Sequence, residues 1–188
     1  GEIKESTYLI IASGSDSVKP PIPGVLEGLE SGFVLTNKEV LKLDEPPKEF
    51  VVIGGGVIGL EMASYFNSIG SKVTVVEMLD KIAGPTDAKI SGILKKEYEK
   101  KGITFNLSSR VTKLDNEYVY FENDGKEEKV KADKVLLSIG RRANTIGLGL
   151  ENLNIFIERG CIKVDERQET NVANVYAVGD CVGGIMLA

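Results

Sequence analysis

Three glycines at 54, 56 and 59, an acid at 77 and the run Ser138-Ile139-Gly140-Arg141-Arg142 are the residues whose types and spacing could do chemistry here. Gly54-x-Gly56-x-x-Gly59 suits a backbone that must turn tightly, approach a diphosphate and pack a helix closely on a strand. The next amides, near Val57 and Ile58, would aim free N–H groups and the positive end of a helix at that anion. The string alone is weak in a chain with 21 glycines, and its place between an apolar strand and a helical stripe is what strengthens it. Glu77 ends the following strand, roughly 20 residues on, where a carboxylate accepts adenine-ribose hydroxyls. Against a 2′-phosphate at ~4 Å and an effective dielectric near ~20, that carboxylate is repelled by roughly 4 kcal/mol. Met78, Leu79 and Asp80 follow, with no Arg to receive such a phosphate. The combination predicts a site for NAD(H) rather than NADP(H), although a solvated strand-end charge also fits Glu77.

Other candidates carry weaker signals. Glu61, just inside the helix after Gly59, could simply favour the helix dipole. Gly140 ends an apolar strand at the edge where open α/β sheets bind ligands, and Arg141 and Arg142 fit either solvated charges or phosphate contacts. Cys161 and Cys181 have no CxxC or zinc-site spacing, and read as unreactive buried thiols. The chain has no His, so it lacks the commonest general base and transition-metal ligand.

These residues need elements to hold them. EFVVIG (49–54) reads as an apolar strand, and Ile58, Met62, Phe66 and Ile69 form the stripe of a helix that Gly70 ends. KVTVVE (72–77) is the next strand. Thr86-Asp87 offers an N-cap for a second helix with the stripe Ile90, Leu94, Tyr98 and a stop at Gly102. From 111 to 139, VTKL, YVYF, an Asn123-Asp124-Gly125 turn and KADKVLLSIG predict a short antiparallel meander. TYLIIA (7–12) predicts a buried strand closed by Ser13-Gly14-Ser15, and CIKVDE (161–166) and NVYAVGD (174–180) two more. KPPIPG (19–24) and Glu45-Pro46-Pro47 break regular structure and are candidate boundaries.

Bulk properties exclude several classes. In 188 residues, 42% hydrophobic and 27% charged content is that of a globular domain, and a net charge of −5 argues against a nucleic-acid partner. No apolar run approaches the ~20 residues of a membrane span, so no membrane partner is expected. The N-terminus has no targeting signature, which predicts a cytoplasmic protein.

YLIIASGS (8–15), PPIPG (20–24), VVIGGGVIGLEMAS (51–64), VTVVEML (73–79), LLSIGRRANT (136–145), VYAVGDCV (175–182) and GGIMLA (183–188) together resemble the FAD-dependent pyridine nucleotide-disulfide oxidoreductases. The dihydrolipoamide dehydrogenases are the most similar branch, on the strength of the final G-x-M-L-A run. The resemblance implies an α/β fold: a Rossmann-like βαβ NAD-binding domain over 24–146 with an antiparallel meander, flanked by FAD-domain fragments at 1–23 and 147–188. It assigns NAD contacts to Gly54, Gly55, Gly56, Val57, Ile58, Gly59, Leu60, Glu61, Glu77, Val111 and Gly140. FAD contacts fall on Ser13, Gly14, Ser15, Asp180, Met186, Leu187 and Ala188. Ala143 replaces the family's usual proline in G-R-x-P, which should loosen that turn.

The resemblance also implies a homodimeric parent working in 2-oxo-acid dehydrogenase complexes. The family's redox cystine, first glycine motif, His-Glu base and the lysine that pairs with the Glu61 position do not occur in these residues. A middle segment is therefore expected, one that binds NADH, holds FAD poorly and has no dihydrolipoamide activity. NADH oxidase, mercuric reductase or another NADH-linked disulfide reductase fits the same glycine motif and Glu77. A non-enzymatic NAD-sensing module fits them too.

Overall fold

The computed structural model describes residues 5–184 and Met186. The chain divides into two compact units, one from Ser17–Gly140 and one from the two flanking pieces, Gly1–Asp16 and Arg141–Ala188.

The central unit is built on a five-stranded parallel sheet. Its strands run side by side in the order Val34–Leu35, Lys134–Leu137, Glu49–Ile53, Lys72–Val76 and Thr104–Asn106. Parallel strands need cover on both faces, and alternation supplies it. Val51, Ile53, Val76, Val135 and Leu137 face one core with Val111, Leu114, Val119 and Phe121. Phe50, Val52, Val73, Val75 and Leu136 face another with Ala63 and Phe66 of the helix Val57–Ser68. There the Phe50 and Phe66 rings sit 4.5 Å apart, and a buried side chain of this size contributes about 2–3 kcal/mol over an exposed one.

The helix stripe differs from expectation. Gly59, Leu60, Ala63 and Phe66 are the buried residues, whereas Ile58 and Met62 are half-buried and Ile69 is exposed. Gly59 causes the rotation: a Cβ on it would stand 2.2 Å from the Gly54 carbonyl oxygen, so the helix turns its smallest residue to the strand. The second helix, Ala88–Lys100, starts where predicted, with the Asp87 carboxylate accepting from the Lys89 and Ile90 amides. Its predicted stripe is only partly buried, since Leu94 and Tyr98 pack inward while Ile90 stays exposed.

The meander is real but shifted. Its strands are Ser109–Leu114, Tyr118–Asn123 and Lys126–Lys131, and Asp124 and Gly125 make the hairpin with φ of 49° and 74°. Lys134–Leu137, expected to belong to it, instead enters the parallel sheet between Val34–Leu35 and Glu49–Ile53. An entirely apolar VLL run finds burial on two faces only there, whereas a meander offers one.

In the flanking unit, Leu9–Ile11 pairs in parallel with Val175–Ala177, joining its two pieces. That first strand is not buried throughout. Leu9 and Ile10 are exposed and only Ile11 enters the small core with Leu150, Ile162 and Ala177, because a two-stranded ribbon covers one face. The predicted 161–166 strand shortens to Cys161–Ile162, paired antiparallel with Ile157–Glu158.

Candidate functional site

The sheet register brings the candidate residues of the central unit to one edge. Leu137, Ile53, Val76 and Asn106 lie in line across four strands, so Ser138, Gly54 and Glu77 leave the sheet side by side at its carboxyl end. The sequential order of the strands reverses between Glu49–Ile53 and Lys134–Leu137. In open α/β sheets that switch opens the crevice where ligands bind.

Gly54 turns the chain with a φ of 103°, while its amide donates to the Val76 carbonyl at 2.9 Å. A Cβ on it would stand 2.5 Å from the Ser138 carbonyl oxygen. The Ser138 hydroxyl in turn donates to the Gly54 carbonyl at 2.9 Å, and sits 2.6 Å from where a Gly59 Cβ would be. Ser138 thus fixes the turn, a role the glycine spacing does not announce.

Gly56 begins the helix with no side-chain cap, and open space lies where its Cβ would be. A helix mouth without a capping side chain leaves its first-turn amides to an outside acceptor, and the helix dipole favours an anion. The cradle therefore fits a diphosphate. Val57 is exposed at this mouth and Ile58 half-buried, whereas Leu60 is buried against Ile82 and Ala83, which leaves it a packing role. Glu61 points away from the core and is exposed.

Glu77 reaches back to the glycine turn. Its Oε2 accepts from the Gly55 amide at 2.5 Å and its Oε1 from the Leu79 amide at 2.8 Å, with the side chain half-buried. Each carboxylate oxygen keeps acceptor capacity beyond one bond, so the group can still take hydroxyl donors. Gly140, at a φ of 124°, leaves the sheet at the same edge, and its carbonyl accepts from Val18 at 3.0 Å. Val111 is 8% exposed and its side chain is spent on the core with Val119 and Phe121, so only its backbone could meet a ligand.

The flanking unit gathers a second set. The Ser15 hydroxyl bonds the Asp180 carboxylate. Arg141 donates from Nε to the Ser15 hydroxyl at 2.7 Å and from its terminal nitrogen to the Ser15 carbonyl at 2.6 Å. Its Nε also lies 3.5 Å from the Asp180 carboxylate. Arg141 is thus an anchor of the site rather than a solvated charge. The Ser13 hydroxyl and the Gly14 carbonyl both bond Asn144, at 2.6 and 2.9 Å. Gly14, at a φ of 69°, has open space where a Cβ would stand, so the turn is open to close approach there. Met186 is half-buried, and Leu187 and Ala188 lie outside the described residues.

Cys181 is buried and Cys161 half-buried, both as free thiols. Among the described residues no cluster of His, Cys, Asp and Glu could hold a metal ion, and no helix is long and apolar enough to cross a membrane.

Residues 1–188 match the family model described as pyridine nucleotide-disulphide oxidoreductase. The chain belongs to that family. Among its relatives, a dihydrolipoyl dehydrogenase of Acholeplasma laidlawii is 45% identical over the whole chain, which covers 55% of that protein. A dihydrolipoyl dehydrogenase of Bacillus subtilis is 41% identical over 96% of the chain and 38% of its own length. The HOCl-induced flavoprotein disulfide reductase RclA of Escherichia coli superposes with a TM-score of 0.84 at 29% identity, over 96% of this chain and 41% of that one. The chain thus spans from about two fifths to little more than half of these family members.

Proposed function

We propose that the central unit, Ser17–Gly140 against the expected 24–146, binds NAD(H) in a flavin-dependent disulfide oxidoreductase, and that the dihydrolipoyl dehydrogenases are the relatives whose reaction it shares. The flanking pieces, Gly1–Asp16 and Arg141–Ala188 against the expected 1–23 and 147–188, are proposed as the corresponding parts of the FAD domain. The observation that carries this reading is the Glu77 carboxylate bonded to the Gly55 amide beside an uncapped helix mouth. Amides near Val57 and Ile58 hold the diphosphate, and Glu77 accepts hydroxyls of an unphosphorylated ribose. Gly54 and Gly59, kept small by Ser138, let the backbone come that close. Gly140 lies on the same edge, and Val111 contributes backbone only.

FAD, when bound in such an enzyme, would supply two-electron redox chemistry linking oxidation of a dithiol to its disulfide, with release of one proton, to reduction of NAD⁺ by hydride. This chain's residues bind and orient. Ser15, Gly14 and Asp180 are proposed to receive ribityl hydroxyls and phosphate of FAD, and the resemblance adds Met186, Leu187 and Ala188 to that set. The full-length protein is proposed to be a homodimer serving a 2-oxo-acid dehydrogenase complex, and the segment alone to hold FAD weakly and turn over no dihydrolipoamide.

Titrating the chain with NADH and NADPH tests the core of the proposal. Tighter binding of NADH is expected, and equal affinities overturn the assignment of Glu77. The likeness to RclA keeps a second disulfide substrate in view. Dihydrolipoamide oxidation by the full-length protein decides between them.

A further inference from the structure

Gly55 is held on one side by Glu77 and on the other by the loop that follows it. Its N–H donates to the Glu77 carboxylate at 2.5 Å, and its carbonyl accepts from the Ala83 amide at 2.8 Å. Ala83 does this from a left-handed conformation, φ 62°, while 9% exposed. Alanine pays a steric penalty there, and such residues persist only where their surroundings over-determine them.

The surroundings here do so. The Ser91 hydroxyl donates to the Ile82 carbonyl at 2.7 Å, Lys81 Nζ to the Thr86 carbonyl at 2.6 Å, and the Thr86 amide to the Ala83 carbonyl at 3.2 Å. A second left-handed residue, Ser108 at φ 50°, donates its amide to the Leu79 carbonyl at 2.9 Å. Ile82 is buried, with its Cγ2 3.2 Å from where a Gly55 Cβ would stand. The loop is thus fastened to the second helix and to the third strand's exit, and with Glu77 it holds the two peptides on either side of the Gly55 Cα.

We infer that Ala83 is a positioning residue for the diphosphate cradle, a role that rests on the NAD(H) reading of that site. Its amide fixes the plane of the Gly55–Gly56 peptide, and with it the direction of the Gly56 amide and the entry of the chain into the helix mouth at Val57 and Ile58, before any ligand arrives. Preorganised donors bind an anion without a reorganisation cost, so loosening this plane weakens binding through the diphosphate and spares the ribose end.

The test uses the 188-residue chain with Ala83→Asn, Ala83→Val, and an L-lactate ester replacing alanine at 83 by semisynthesis. Asn adopts the left-handed region readily and Val hardly at all, while the ester removes the Ala83 N–H and also weakens the Ile82 carbonyl that accepts from the Ser91 hydroxyl, so Ser91→Ala serves as its control. The N–H dipolar coupling of Gly56, which shares a peptide plane with the carbonyl that the Ala83 amide holds, is measured by NMR without ligand, and NADH and adenosine are titrated. Asn should leave the coupling unchanged and NADH affinity within about twofold of wild type. Val and the ester should change the Gly56 coupling and weaken NADH by about tenfold, with adenosine changed less than about twofold and Ser91→Ala reproducing neither change. Should the valine chain fail to fold, the ester and its control decide. A Gly56 coupling unchanged by the ester, an equal effect of Ser91→Ala, or equal losses for NADH and adenosine, overturns the positioning role. A wild-type chain that binds no NADH instead overturns the NAD(H) reading, and the Gly56 coupling still judges Ala83.

Discussion

Gly59 faces the Gly54 carbonyl so closely that a methyl group added to it would stand 2.2 Å from that oxygen and 2.6 Å from the Ser138 hydroxyl. One obstacle is backbone and the other is bonded to it, so neither yields cheaply. Gly59→Ala gains up to about 1 kcal/mol of helix propensity but must push the helix off the sheet, an overpacking cost of about 1–3 kcal/mol. A net loss of about 1–2 kcal/mol is expected, read as a lower urea midpoint at unchanged slope, with NADH binding weakened as the helix mouth shifts. An alanine variant as stable as wild type, with intact NADH affinity, refutes the close-packing argument.

Glu77 is bonded to two amides, which changes what its substitution does. Those bonds spread the carboxylate's charge and reduce its repulsion of a 2′-phosphate below the bare Coulomb value, to a discrimination on the order of 100-fold for NADH over NADPH. Glu77→Arg removes the repulsion but also leaves the Gly55 and Leu79 amides without their acceptor. The variant should therefore lose affinity for NADH without gaining full affinity for NADPH. Fluorescence titration with both nucleotides checks this, and a clean inversion of preference would show that the two amide bonds do not matter.

The parts of this site legible in the sequence are those set by local rules. The glycine spacing, the acid ending the second strand and the Asp87 cap each follow from a few adjacent residues, and all three stand where expected. The place of Lys134–Leu137 is not local, because nothing in VLL tells a meander strand from a central parallel one until the rest of the sheet is assembled. The helix stripe misled for a related reason: counting apolar residues favours Ile58 and Ile69, but the close approach at Gly59 sets the rotation. Ser138 and Ala83 have no pattern of their own, since each acts through one backbone atom of a glycine. Thr36-Asn37-Lys38-Glu39 is a capping box in plain spelling, and it caps the short helix Asn37–Val40.

That box predicts a pH effect. The Glu39 carboxylate accepts from the Thr36 hydroxyl and from the Thr36 amide, the latter at 2.9 Å. The Thr36 hydroxyl bond, with help from backbone amides, holds the Glu39 carboxyl below the usual range. A lowered folded-state value means the contribution is complete above the unfolded value of about 4.3 and is lost as pH falls through the folded one. Glu39→Ala should cost roughly 0.5–1 kcal/mol at neutral pH, and the difference from wild type should shrink below about pH 4. Urea unfolding at several pH values checks it; a gap that widens in acid contradicts the sign.

Arg141 offers the last test, because it ties Ser15 to Asp180 with both side chains of the ion pair mostly buried, 15% and 21% exposed. Arg141→Ala removes the ion-pair partner of the Asp180 carboxylate and takes its donors from the Ser15 hydroxyl and carbonyl. Losing hydrogen bonds to a partly buried charged group costs about 1–3 kcal/mol, so unfolding of the flanking unit should move to lower denaturant. Arg141→Lys restores charge but not the forked geometry that reaches hydroxyl and carbonyl at once, and should recover about half of the loss or less. NADH binding is the control, since the cradle lies on the Gly54 and Glu77 turns of the central unit. Full rescue by lysine would reduce Arg141 to a point charge, and a fall in NADH affinity equal to the stability loss would show that its effect is not confined to Ser15 and Asp180.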